Sequence, residues 1–326
     1  MNIQQIYTRR NSKVQNYAQP IIYEWEDVIS QVLDIPVHNY PFYAKILNRL
    51  RTNIPIKVPF IDTFRFVING RDSDIPMNSK HIIPCIIDFF ENKEQLPEFY
   101  AKHSNNRVVL VSSPFDYHYL KNNNCPLRVE LFPYSLPDKY AITGIPIKKH
   151  FDIVLTGRQD PLLYSFFKEY IKKHPQVSYV KRGKDLDNDE RKTMDYYLNG
   201  KENLGPLNSR DDFMSLQSQG RITLYGVQGY DMATMGFYHM TPHFLEIIAC
   251  GCHVLMHYPT DSNGIDPEFY EFGRFSPSIE TYKEFELAMD RALSTDVDMI
   301  MYSSYLKQHY TSNRVKQLKW LLKDLY

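Results

Sequence analysis

The sequence carries no excess of either charge: 38 lysines and arginines stand against 38 aspartates and glutamates, so the formal net charge of the 326-residue chain is zero. A general nucleic-acid binder needs a basic surplus to hold phosphates, so that class is set aside. Cysteine is scarce. Its four copies, Cys85, Cys125, Cys250 and Cys252, form no C-x-x-C pair and no zinc spacing, which fits reduced structural thiols and a reducing cytoplasm. No run approaches the ~18 apolar residues of a membrane span. The opening MNIQQIYTRR lacks the apolar segment of a secretory signal. The expectation is a soluble, cytoplasmic protein, at most peripheral at the inner face of a membrane.

Several chemistries lack their usual signatures. There is no G-x-x-x-x-G-K-[ST] to cradle triphosphates, and GVQGYDMATMG has its glycines at the wrong spacing for a dinucleotide turn. No H-E-x-x-H and no helical pair of histidine and carboxylate suggests a metal, so no metal and no resident cofactor is expected. A G-x-S-x-G nucleophile elbow is missing too.

What is present is an ordinary globular composition, 43% hydrophobic and 23% charged, in a chain long enough for two domains of roughly 150 residues each. Aromatics are abundant at 14%, with 25 tyrosines. Tyrosine-rich clefts suit sugars and bases, and a plain aromatic core accounts for them equally. Helical spacing marks 24–33, 41–51, 94–103 and 115–123. Short β-branched runs mark strands at 64–70, 81–88, 107–113 and 127–137. Residues 138–150 read as a linker. The alternation then restarts with a strand at 151–157, a helix from Pro161 to Lys173 and a strand at 177–183. A polar stretch at 184–210 follows, then a helix at 211–219, a strand at 221–226, a helix at 242–250 and a strand from His253. Residues 278–293 and the last thirty are helical in pattern.

Two β-α-β series in succession predict an α/β protein of two Rossmann-like domains with parallel sheets facing across a cleft. The expected boundaries are 1–145, 146–308, and a C-terminal helix, 309–326, packing back on the first domain. Ligands collect at the carboxyl ends of parallel strands, which places the expected site in that cleft.

The stretch TPHFLEIIACGCHVLMHYP, 241–259, concentrates the chemistry. Thr241 suits an N-cap, Pro242 the first helical position and Gly251 the left-handed residue that ends a helix. Unpaired amides at such a helix start favour an anion such as a diphosphate. Glu246, one turn further in, suits the paired hydroxyls of a ribose. A solvated first-turn acid is the competing reading, weakened because Phe244, Leu245, Ile247 and Ile248 around it are apolar.

TPHFLEIIACGCHVL resembles the R-x-x-E-x-x-A-C-G-x-x-V-L helix of GT-B glycosyltransferases, in particular the bacterial group-1 type with a donor domain like that of spore-maturation glycosyltransferases. FDIVLTGR (151–158), SRDDFMSLQSQGRITLYG (209–226) and HYTSNRVKQLKWLL (309–322) resemble further donor-half segments in the same order. IPCIIDFF, VLVSSPFDYHYL and VELFPYSLP resemble the acceptor domain more loosely. The likeness covers roughly 80–325.

The resemblance implies that Glu246 binds the donor ribose, that Thr241, Pro242 and His243 start the diphosphate-facing helix, and that Gly157 and Arg158 face the diphosphate. His243 stands where relatives often carry arginine; a packing histidine is the alternative there, as a surface charge is for Arg158. Tyr238 occupies the place of a glutamate common in retaining relatives, which makes it a sugar-contacting candidate and leaves inversion open. Asp88, at a strand end and beside Ile87 where the family has histidine, is the candidate general base, with a turn aspartate as the alternative. Asp72 and Asp74 are weaker candidates.

The function implied is metal-independent transfer of a hexosyl or N-acetylhexosaminyl group from a nucleotide-sugar, UDP-sugar foremost, to a glycan or lipid-linked acceptor in bacterial surface polysaccharide synthesis. Two rivals share the fold: a nucleotide-sugar epimerase and a non-catalytic binding subunit of a glycan-assembly complex.

Overall fold

Runs rich in isoleucine, valine and phenylalanine build two separate sheets, and amphipathic segments between them supply the covering helices. The computed structural model describes residues 3–10, 19–39, 61–68, 78–144, 147–186, 193–227 and 236–323. The expected helix at 41–51 and the candidates Asp72 and Asp74 lie outside the described residues. The chain divides into two units, one formed by 1–139 with 309–326 and the other by 140–308.

In the N-terminal unit the strands are Gln5–Thr8 (β1), Val37–Asn39 (β2), Thr63–Ile68 (β3), Ile82–Ile87 (β4), Val109–Val111 (β5) and Val129–Leu131 (β6), with helices Gln19–Leu33 (α1), Leu96–His103 (α2) and Pro114–Asn122 (α3). The strands pair in parallel in the order β2-β1-β3-β4-β5-β6. From β1 the chain first builds outward to β2, then returns to the opposite flank of β1 to lay down β3. The crevice at such a reversal is where open α/β sheets bind ligands. Ile22, Trp25, Glu26 and Ile29 recur at helical spacing on α1 and are all buried. The Trp25 ring packs 5.6 Å from Phe66 and 5.8 Å from Tyr134.

The C-terminal unit contains Phe151–Leu155 (β7), Pro161–Lys173 (α4), Tyr179–Arg182 (β8), Asp195–Leu198 (β9), Glu202–Pro206 (β10), Arg210–Gln219 (α5), Gly220–Gly226 (β11), His243–Ala249 (α6), His253–His257 (β12), Ile265–Phe269 (α7), Tyr282–Ser294 (α8) and Met299–Leu306 (α9). Its strand order is β10-β9-β8-β7-β11-β12. The reversal here falls between β7 and β11. The core of this unit joins Ile153, Phe167, Tyr170, Ile222, Leu255, Phe285 and Met289.

The sheet is not wholly parallel, as the sequence pattern suggests it should be: β9 runs antiparallel to both β8 and β10. The polar stretch at 184–210, to which the sequence assigns no element, holds this hairpin, turned by Asn199 and Gly200 at φ +50° and +65°. Two successive positive φ values are what the centre of a type I′ turn requires, and the Lys201 amide closes it on the Leu198 carbonyl at 2.9 Å.

Two local features set the stage for the site. Asp160 caps α4, its Oδ1 accepting the Leu163 amide at 2.9 Å. Gly251, at φ +62°, ends α6 as expected. The Lys149 ammonium then donates to the carbonyls of Ser218 at 2.9 Å and Cys250 at 2.7 Å, satisfying the ends of α5 and α6 together. The last helix, Thr311–Lys323 (α10), belongs to the N-terminal unit, where Lys319 reaches the Val32 carbonyl at the end of α1. Among the described residues, no helix is long and apolar enough to cross a membrane.

Candidate functional site

At the sheet reversal of the C-terminal unit, the carboxyl end of β7 runs into Thr156, Gly157 and Arg158, and β11 ends at Tyr225 and Gly226. Gly157 turns at φ +71°, a conformation that costs an ordinary residue but not glycine. It lies against α6: a β-carbon at Gly157 would sit 3.6 Å from Nδ1 of His243. The backbone amides of Gly157 and His243 donate to no described residue. Two neighbouring N–H groups at a strand end and a helix start form a place for an anion.

The start of α6 differs in detail from the sequence expectation. Pro242 takes the N-cap position with helical dihedrals, φ −53° and ψ −22°, and no side chain caps the helix. Thr241 does not cap because its hydroxyl and amide are held by the Tyr225 phenol, at 3.3 and 2.8 Å. Met240 likewise donates its amide to Asp266, at 2.8 Å. The Phe244 amide turns back to the Thr241 carbonyl at 3.1 Å. The amide of His243 is therefore left as a donor at this end, as is that of Leu245 further in.

The His243 ring is held by polar partners on its inner edge. Its Nε2 lies 3.1 Å from Thr156 Oγ1 and 3.4 Å from Gln217 Oε1, and the Thr156 hydroxyl donates to the same Gln217 oxygen. Because Gln217 Oε1 can only accept, the proton of a neutral ring belongs on Nε2 and the Nδ1 lone pair faces Gly157. Burial lowers the His243 pKa; Glu246 works in the opposite direction and Arg210 with burial. The histidine is thus packed and hydrogen-bonded as well as placed beside Gly157.

Glu246 is 3% exposed, so the picture of a solvated first-turn acid does not hold. Its partner is Arg210, the first residue of α5, with Nη2 2.7 Å from Oε1. Arg210 also lies 5.3 Å from the Phe213 ring and 5.8 Å from the Tyr140 ring. Oε2 of Glu246 accepts no hydrogen bond from a described residue, which leaves one carboxylate oxygen for a ligand hydroxyl. The sequence shows that Glu246 needs a partner but does not identify it, because Arg210 is 36 residues away and precedes two intervening elements.

Arg158 is exposed beside Gly157 and close enough to Tyr225 for its charge to act on the phenol. Tyr238 is half-buried in the segment leading to α6. A second buried pair, unforeseen from sequence, lies at the same sheet edge: His257 Nδ1 is 2.9 Å from Asp160 Oδ2, and its Nε2 is 3.4 Å from Glu280. Burial acts to lower the His257 pKa, but the bond to Asp160 and the two carboxylates outweigh it and the net shift is upward. Among the described residues, no group of three or more His, Cys, Asp or Glu side chains could hold a metal ion.

Asp88 belongs to the N-terminal unit. It directly follows β4 at φ +55°, a left-handed conformation unusual outside glycine, asparagine and aspartate. The Tyr134 hydroxyl donates to Asp88 Oδ1 at 3.4 Å. Burial, and then the Asp88 charge, push the Tyr134 pKa well up, so this phenol stays protonated and able to donate.

No protein-family model matches the sequence, and no curated protein matches it. Among solved structures the chain is similar to the pneumococcal O-GlcNAc transferase GtfA in complex with UDP and GlcNAc, with a TM-score of 0.52 and 11% identity over 87% of this chain. The fold is of the GT-B type. This chain spans 60% of the length of that transferase. It is also similar to sucrose-phosphate synthase from Thermosynechococcus elongatus, at 11% identity over 98% of this chain and 88% of that one, but with a TM-score of 0.42 that carries no argument. At these identities the likeness is one of fold.

Proposed function

We propose that the protein is a glycosyltransferase that moves a sugar, foremost from a UDP-sugar, to a glycan or lipid-linked acceptor in surface polysaccharide synthesis, in the cytoplasm or peripherally at the membrane. One observation carries the reading. The amides of Gly157 and His243, the Arg158 side chain and the open oxygen of Glu246 gather at the sheet reversal of the C-terminal unit, and suit a diphosphate with its ribose. The likeness in fold to a transferase solved with UDP supports it.

In this reading the donor's diphosphate takes the two amides and Arg158, and a ribose hydroxyl donates to Glu246 Oε2. Negative charge grows on the leaving diphosphate as its bond to the sugar breaks, and fixed N–H dipoles stabilise that charge without the reorganisation water would need. This is the task a metal performs in other designs, so the transfer is proposed to be metal-independent. The N-terminal unit is assigned the acceptor. In an inverting transfer Asp88 takes the acceptor proton as the new bond to the sugar forms.

Titration calorimetry with UDP tests the donor side. Glu246→Gln is expected to weaken UDP binding by about 5- to 150-fold, or 1–3 kcal/mol, the loss of a hydrogen bond to a charged group. Unchanged affinity would remove Glu246 from the ribose. Asp88→Asn is expected to leave UDP affinity intact while slowing transfer by about 100-fold or more. Full turnover in that variant would discard Asp88 as the base.

Tyr238, standing where retaining relatives resembling this chain carry glutamate, favours a second reading: a binding subunit that holds nucleotide-sugar without turnover. Release of free nucleotide from a donor panel with lipid-linked acceptors separates the two.

A further inference from the structure

The sheet reversal in the N-terminal unit has a ligand-binding geometry of its own. Where β1 and β3 end side by side, Tyr7, Arg9, Ile22, Tyr23, Glu26, Phe66 and Ile68 line a cavity of about 20 Å³. That volume admits a single water or hydroxyl rather than a whole ring. Glu26 is 2% exposed. Both of its hydrogen bonds fall on one oxygen: the Thr8 hydroxyl donates to Oε2 at 2.6 Å and Arg10 Nε at 3.4 Å. Oε1 accepts nothing from a described residue. A carboxylate this deeply buried is costly unless its acceptor sites are filled, and Oε1 is left accessible to a donor in the cavity.

The neighbours narrow the choice of donor. Arg9 and Arg10 beside Glu26 disfavour a cationic ligand. Tyr7, Tyr23 and Phe66 supply apolar ring surface around one polar anchor, the mixture that suits the C–H faces and hydroxyls of a sugar. The position suits an acceptor as well: Ile68 pairs in register with Ile87, so Asp88 lies one strand over and one residue beyond the cavity wall.

We propose that this cavity is a subsite for one hydroxyl of a carbohydrate acceptor, which donates to Oε1 of Glu26. Calling the sugar an acceptor rests on the transferase reading; the hydroxyl subsite itself does not.

Saturation-transfer NMR on the full chain with millimolar D-glucose, D-galactose and N-acetyl-D-glucosamine tests it, with UDP affinity measured in parallel. At least one sugar is expected to receive saturation from the wild-type protein. At pH 8, where Glu26 is ionised, Glu26→Gln should weaken that signal about fivefold or more, as expected for losing one hydrogen bond to a charged acceptor, with UDP affinity unchanged. Ile22→Trp, which occupies the cavity while keeping Glu26 in the chain, should abolish it; if that variant does not fold, Glu26→Gln alone decides. A purely structural Glu26 would lower the unfolding midpoint and leave the sugar signal of the folded protein in place, which would overturn the proposal. So would the absence of any sugar signal in the wild type. Failure to bind UDP with the sugar pattern as expected would instead sink the donor assignment and leave this subsite standing.

Discussion

Arg210→Met is expected to destabilise the C-terminal unit by about 3–5 kcal/mol, because it leaves Glu246 charged and unpaired in a site where only 3% of the residue meets solvent. The energy of the ion pair itself is not what is lost; much of it is offset by the cost of drying two charges. The penalty comes from orphaning one of them. Arg210→Met combined with Glu246→Leu should therefore recover most of the loss, since the second change removes the stranded carboxylate. Urea unfolding followed by far-ultraviolet circular dichroism measures both. A single variant costing under about 1 kcal/mol would mean that the pair is screened by water and behaves as a surface contact. The double variant should also lack UDP binding, which separates the folding role of the pair from the ligand role of the glutamate.

The second large effect is a pH dependence centred on Glu26. Burial raises its pKa from 4.5 to about 7, only partly countered by the Thr8 hydroxyl and Arg10, and Asp27 adds to the rise. Tyr23 on the same helix and Tyr7 and Arg9 on the cavity wall are the other titratable groups around it among the described residues. The folded chain holds this proton more tightly than the unfolded chain does. The resulting stabilisation is complete below about pH 4.5 and is lost as pH rises through about 7, which amounts to about 3 kcal/mol at most. Both tryptophans, Trp25 and Trp320, belong to the N-terminal unit, so their fluorescence in urea titrations reports on that unit. Between pH 5 and 8 the wild type should lose stability relative to Glu26→Gln by about that amount. Parallel curves for the two proteins would show that Glu26 ionises freely in the fold.

Elements with local punctuation were readable from sequence. The helix expected from Pro161 to Lys173 forms with those bounds, and Asp160 caps it. Gly251 marked the end of α6 for the same reason, a backbone angle that favours glycine. The β9–β10 hairpin is marked in the sequence only by Asn199-Gly200, because the flanking residues are too polar to give a strong alternation. The strand expected at 127–137 shrinks to Val129–Leu131, since pairing with β5 covers only three positions. At the site, the residue types and their order along the chain could be read, and their partners could not. Arg210 to Glu246, Thr156 to Gln217 and His243, and Asp160 to His257 are long-range pairs formed only once the sheet brings strand ends together. Glu26 is illegible for a similar reason: on a helix wheel it is one more acid, and only the packing of α1 on β1 and β3 buries it.

The antiparallel hairpin also guards the protein against its own kind. Without β9 and β10, the open flank of β8 would offer Tyr179 and Val180 to any extended chain that drifted past. In their place the outermost strand presents Gly205, Pro206 and an irregular register between Asn203 and Gly205, on which a visiting strand cannot continue a regular ladder. Recruitment by strand addition is therefore closed off on that flank.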